Sequence, residues 1–135
     1  MANKIISFED LIVWQKAQEL AVKIYQLAES NKFIKNDFTL KDQLKRSAIS
    51  ISDNIAEGFE YNNNSDFYRF LRIAKGSCGE LRNKILFIKR LKNIEEIIGN
   101  DLNREATMLG RQLGELLKKV KLKMASEKKP KTRNP

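Results

Sequence analysis

Histidine is absent from this chain. Without imidazole there is no Ser-His or Cys-His nucleophile pair, and the usual zinc and iron ligand is missing. Cysteine is nearly absent as well. Cys78 stands alone, so no disulfide can close within the chain, which fits a reducing cytosol. The only prolines are Pro130 and Pro135, so nothing earlier in the chain forbids a helix. No apolar run approaches the ~20 residues of a membrane span, and the opening MANKIISFEDL lacks the apolar stretch of a signal peptide. These absences lead us to expect a cytoplasmic protein with no membrane segment, no metal, no cofactor and no catalytic residues. Cys78 has no histidine to activate it, and the carboxylates form no inward cluster for a metal.

A chain of 135 residues fits one domain, which at that size buries roughly two-thirds of its extended-chain surface. The net charge is +9, and its placement matters more than its size. Residues 118–135 hold eight basic residues against Glu127, whereas the rest of the chain has 18 basic against 16 acidic. Most of the excess is therefore at the C-terminal end, where it serves either solubility or contact with nucleic acid.

Apolar residues recur at three- and four-residue spacings nearly throughout, and nothing alternates as a strand does. The spacing predicts four helices, at about 8–31, 40–58, 66–92 and 101–123, as one domain over 1–123, with 124–135 a basic disordered tail. The first begins near a capping box, Ser7-x-x-Asp10, and carries Val13, Ala17, Leu20, Ile24 and Leu27. A polar linker, SNKFIKND, follows. Thr39 is expected to cap the second helix, whose stripe is Leu40, Leu44, Ala48, Ile51 and Ile55. Gly58 is expected to end it in the left-handed conformation. Ser65 is expected to cap the third, with Phe67, Phe70, Leu71, Ala74, Cys78, Leu81, Ile85 and Ile88 inward. Gly99 and Asn100 are expected to break the chain before a fourth helix carrying Leu102, Ala106, Leu109, Leu113, Leu117 and Val120. Short connections then favour an up-down-up-down antiparallel four-helix bundle, an all-α fold.

Two features point beyond a single bundle. Ile73, Phe87 and Leu91 project well to one side of the third helix's main stripe, at about 100° per residue. The combined apolar arc is wide for a helix serving one core, so either other helices cover it or it is an oligomer interface. On the fourth helix, Gly110 and Gly114 stand four apart, each costing about 1 kcal/mol relative to alanine. Either another backbone approaches closely there, or the cost is tolerated.

The stretch RSAISISDNIAEGFE is unusual for a core helix. Ser47, Ser50 and Asn54 fall at i, i+3 and i+7 beside the apolar stripe, making a narrow seam of small polar groups. Such a seam serves close helix packing with satisfied hydrogen bonds, or it lines a ligand groove.

With FEDLIVWQKAQELA, LKDQLKRSAISISDNIAEGF and FYRFLRIAKGSCGEL in order, the chain resembles a bacterial four-helix-bundle family over about residues 7–120. Some members of that family are encoded by intervening sequences inside large-subunit ribosomal RNA genes, and the family carries a ribosomal-protein label for that reason. The most specific match is Arg46-Ser47-Ala48 through Ser50-Ile51 to Asn54-Ile55-Ala56-Glu57-Gly58, joined to Arg69-Phe70-Leu71 and Gly76-Ser77. The chain departs from the family pattern at Ser52, where proline is common, and at Gly79, Arg82 and Lys84, in a segment usually more acidic. The resemblance implies an antiparallel bundle assembling into a ring, typically a homopentamer. It also implies similarity to the accessory variability protein of diversity-generating retroelements, a basic pentamer that works with a reverse transcriptase and binds nucleic acid. No enzymatic activity is implied. In this light the seam of Ser47, Ser50, Asn54 and Gly58 lets helices or subunits meet closely. Arg46, Glu57 and Arg69 are expected to pair with one another or with a neighbouring subunit.

Two functions follow as expectations. The first is a non-catalytic homo-oligomer binding RNA or DNA without sequence preference. The third helix holds eight basic residues against Asp66 and Glu80, and Arg72, Lys75, Arg82 and Lys89 cluster on one side. With Lys118, Lys119, Lys121 and Lys123 they would contact phosphates, and no aromatic-basic alternation suggests base stacking. A solvated basic face is the plainer account of the same residues. The second is a scaffold docking a protein partner such as a polymerase or another element-encoded protein.

Overall fold

Apolar side chains three and four apart, on a chain with no proline before Pro130, favour helix over any other backbone. The computed structural model describes residues 4–128, and among these there is no strand. A 3-10 turn at Phe8–Asp10 precedes five helices: α1 (Ile12–Ser30), α2 (Lys32–Asn36), α3 (Phe38–Glu60), α4 (Asn64–Leu91) and α5 (Glu96–Lys128). The four long ones correspond to the four predicted. α3 packs on α1 and α4, while α5 packs on α4 and α1, so the four enclose one core. Leu20, Ile24, Leu44, Ile51, Ile55, Leu71, Leu81, Ile85 and Leu113 are fully buried in it. Each such side chain contributes about 1.5–3 kcal/mol relative to exposure. Leu27, Leu40, Phe67 and Leu117, expected inside, are partly buried against that core.

Several boundaries differ from the expectation, each for a local reason. The Asp10 carboxylate accepts from the backbone N–H of Ser7 (3.0 Å) and of Ile6 (2.8 Å). Those bonds hold its pKa below the ordinary carboxylate value, Ser7 contributing most. They close a 3-10 turn rather than starting α1, because Leu11 is extended between them (φ −77°, ψ 127°). The expected polar linker contains α2. Asn31 accepts from Phe33 N (3.0 Å) and Ile34 N (3.1 Å), and Ile34 buries itself in the core.

Asp37, not Thr39, caps α3, accepting from Leu40 N at 3.1 Å. Asn63, not Ser65, caps α4, accepting from Asp66 N at 2.8 Å. Gly58 does not end α3, which runs on to Glu60, and no glycine among the described residues has positive φ. The left-handed positions are Asn62 (φ 56°) and Lys92 (φ 58°), which turn the chain after α3 and α4. Gly99 lies inside α5 and is buried, with the aliphatic stem of Lys89 across it, so it does not break the helix. α5 continues through 124–128, the start of the expected tail, and residues 129–135 lie outside the described residues.

Candidate nucleic-acid interface

The polar seam lies between helices. Ser50 Oγ and Ser77 Oγ are 2.9 Å apart across α3 and α4, and Asn54 Nδ2 donates to Ser50 O (2.7 Å) and Ser50 Oγ (3.1 Å). On the opposite side of α3, Gln18 Nε2 of α1 donates to Ser52 Oγ at 3.0 Å. Ser47, Ser52 and Ser77 are buried. Among the described residues no buried side-chain nitrogen or oxygen lacks a partner, and the Ser50–Ser77 and Gln18–Ser52 bonds each join neighbouring helices. The sequence spacing identified Ser47, Ser50 and Asn54. It did not identify Gln18, which has no distinguishing neighbours along the chain and acquires its role only when α1 meets α3.

Gly58, the last member of the seam, has Phe70 of α4 directly over it. Among the described residues, Arg46 and Arg69 pair locally rather than with Glu57. Arg46 Nε contacts Asp42 Oδ2 at 2.9 Å, four residues back on α3. Arg69 lies 3.4 Å from Asp66 and places its guanidinium 4.4 Å from the centre of the Phe70 ring. Glu57 is exposed, with no ion pair among the described residues. Pairs three or four apart on an exposed helix face contribute at most a few tenths of a kcal/mol.

The structure sorts the expected basic residues into several groups. Lys75 and Arg82 of α4 face Lys118 of α5 across a groove of about 440 Å³, whose other charged lining residues are Arg111 and Glu115. Arg111 was not anticipated. It lies in a stretch of balanced charge, and only the packing of α5 on α4 brings it into the same groove as Lys75. Arg72 lies outside this groove, in a shallow hollow with Arg69, Ile73 and Met124. Lys119 and Lys123 line a third hollow, against Leu11, Phe59 and Phe67. Lys89 is committed to Gly99, and Lys121 is exposed on α5.

The groove holds the two helices together at its floor. Cys78 Sγ donates to the Ala106 carbonyl at 3.2 Å. Burial pushes the Cys78 thiol up to about 11, against the opposing pull of Lys75 and Arg82, so it stays protonated at neutral pH and is a poor nucleophile. Gly79, Gly110 and Gly114 line the same groove. Among the described residues, no backbone of another helix lies within 4 Å of a β-carbon placed on Gly110 or Gly114, so the close approach considered for that pair is not made there.

Ile73, Phe87 and Leu91 lie outside the core, 44%, 53% and 45% exposed. Among the described residues the other helices cover them only in part, Ile73 sharing a hollow with Met124 of α5 and Phe87 one with Leu40 of α3. Among the described residues there is no His/Cys/Asp/Glu cluster suited to a metal ion, and no helix long and apolar enough to cross a membrane.

The profile of a family described as 23S rRNA-intervening sequence protein matches residues 9–115. The crystal structure of a protein of unknown function from the S23 ribosomal protein family of Bacteroides thetaiotaomicron is similar, with a TM-score of 0.71 and 25% sequence identity. The match covers 79% of this chain and 99% of that one. Comparison with curated proteins finds no match. Neither description names an enzymatic activity.

Proposed function

The chain belongs to the 23S rRNA-intervening sequence protein family, and we propose that it works without catalysis, as a homo-oligomeric binder of RNA or DNA. In this reading the four long helices form an antiparallel up-down-up-down bundle. Identical copies close into a cytoplasmic ring, five by the family resemblance. The observation that carries the reading is the α4–α5 groove. Lys75, Arg82, Arg111 and Lys118 converge on it, none within ion-pair distance of a carboxylate among the described residues. Four cations facing a single lining carboxylate, Glu115, form a site for phosphates. The exposed Ile73, Phe87 and Leu91 support assembly, because a ring would cover them and repeat the basic groove once per copy.

Fluorescence anisotropy with generic RNA and DNA tests this. Affinity should fall steeply between 50 and 200 mM salt, since each neutralised phosphate releases a counterion. Tight binding indifferent to salt would contradict a phosphate-directed mechanism.

A second reading is a scaffold that docks a protein such as a reverse transcriptase or another element-encoded protein. It is favoured by apolar surface beyond α4: Ile12, Phe38, Ile97 and Leu122 are each more than half exposed. Charge reversal at Lys75 and Arg111 separates the two, abolishing nucleic-acid binding and leaving an apolar docking face unaffected.

A further inference from the structure

We infer that Tyr61, at the C-terminal end of α3, is a stacking platform for one unpaired base of the bound nucleic acid, with Arg69 and Arg72 beside it for the flanking phosphates. This rests on the nucleic-acid reading above. It adds a base contact, away from the α4–α5 groove, to a reading built on phosphates alone.

The platform begins with Gly58. Because Gly58 has no side chain, Phe70 of α4 comes down directly on α3 and is buried there. Tyr61 follows nearly one helical turn later, and its ring lies across that of Phe70. The centroids are 5.3 Å apart and the planes 14° from parallel, the arrangement of an offset stack. The turn that carries Tyr61 is fixed by its own hydrogen bonds. Asn62 N donates to Phe59 O at 3.1 Å, and Asn63, the cap of α4, donates from Nδ2 to Tyr61 O at 3.3 Å. The ring is therefore in position before a ligand arrives, which lowers the ordering cost of binding.

A stack between two buried rings is ordinary packing, but Tyr61 is 51% exposed. Among the described residues no second ring and no cation lies over it. Its chain neighbours Glu60, Asn62 and Asn63 are exposed and polar. A flat aromatic ring in a polar border suits a planar group with a π-face and hydrogen-bonding edges, which describes a nucleobase. The apolar anchor of a protein partner calls instead for a water-excluding pocket. Inside a duplex both faces of a base are already stacked on neighbours, so the base that Tyr61 takes is an unpaired one.

The cations adjoin the stack on one side. Arg69 holds its guanidinium 4.4 Å from the centre of the Phe70 ring, and Arg69 and Arg72 line one hollow on α4. Arg72 has no ion pair among the described residues. On the α3 side the exposed Glu57 and Glu60 repel phosphate, so the backbone of the strand runs over the arginines and Tyr61 contributes contact with the base. Every base has a π-face, so this contact carries no sequence preference.

Two labelled oligomers of equal length separate base from backbone: single-stranded oligothymidine, and the same phosphodiester chain made of abasic residues. At one low salt concentration wild type should bind oligothymidine about tenfold more tightly than the abasic chain, as one base stacked on an aromatic ring provides. Tyr61→Leu should lose that preference and bind both oligomers as wild type binds the abasic one. Its slope of log K against log salt should not change, because no phosphate contact has been removed. Tyr61→Trp should keep the preference. Wild type that binds the two oligomers equally would overturn the platform and leave phosphate binding standing. A Tyr61→Leu protein that folds, by its melting curve, and still prefers oligothymidine would do the same. If Tyr61→Leu does not fold, the wild-type comparison decides alone. Wild type that binds neither oligomer would remove both readings. A Tyr61→Leu protein whose mass in solution falls while its preference for oligothymidine persists would assign the ring to contact between copies and overturn the inference.

Discussion

Phe70 of α4 lies directly over Gly58 of α3: a β-carbon built on that glycine would stand 2.6 Å from Phe70 Cβ, a separation real atoms do not adopt. Since neither partner is the flexible end of a side chain, Gly58→Ala must push the two helices apart or force Phe70 from its rotamer. Overpacking of this kind costs about 1–3 kcal/mol. The comparison is Gly76→Ala, on the open face of α4 where an added carbon meets nothing within 4 Å. That change should raise stability by roughly 0.5–1 kcal/mol. Thermal melts of the two variants should move in opposite directions. A stable Gly58→Ala would show that the contact is not tight in solution.

The bond between Ser50 and Ser77 joins α3 to α4 in a part-buried seam, Ser77 buried and Ser50 half-buried. Removing one hydroxyl leaves the other with one partner fewer, at a cost of about 1–3 kcal/mol, whereas removing both relieves that penalty. Denaturant unfolding of Ser50→Ala, Ser77→Ala and the double variant should therefore be non-additive, with the double less damaging than the sum. Asn54 also donates to Ser50, so the Ser50 single variant should be the worse of the two. Strict additivity would mean the two hydroxyls do not interact.

Cys78 provides a chemical probe of the α4–α5 contact. Its thiol is raised from 9.0 to about 11 by burial. A folded-state pKa above the unfolded value stabilises the fold fully below the unfolded value, and that contribution is lost as pH rises toward the folded one. Stability should therefore decline between about pH 9 and 11, and the decline should be smaller in Cys78→Ala. A disulfide reagent at pH 8 should leave the native protein unmodified and label it rapidly in denaturant. Prompt labelling without denaturant would show that the helices open readily at this point.

The long helices and their core stripes were legible in the sequence because each runs for five turns or more, long enough for the apolar period to show. α2, Lys32–Asn36, was not: five residues carry no period, and its helix depends on Asn31 as a cap and Ile34 as an anchor. Asp37 and Asn63 each stand two residues before another good cap, Thr39 or Ser65, and composition does not decide between neighbours of equal capping ability. Gly58 and Gly99 read as helix stops because glycine usually means a turn. Each is instead a place where a side chain of α4, Phe70 or Lys89, needs room. The groove was half legible. Lys75, Arg82 and Lys118 stood out by charge, but their union with Arg111 over a glycine floor exists only through the packing of α5 on α4.

Ile73, Phe87 and Leu91 leave apolar helix surface that the described residues cover only in part, and the account holds that further copies cover the rest. The most direct measurement is the mass in solution, by light scattering or sedimentation, of wild type beside Phe87→Glu/Leu91→Glu. Wild type should have a mass several times that of one chain, five times by the family resemblance. The charged variant should fall to a single folded chain. Wild type that remains single at high concentration, with those three side chains still in contact with water, would contradict the account.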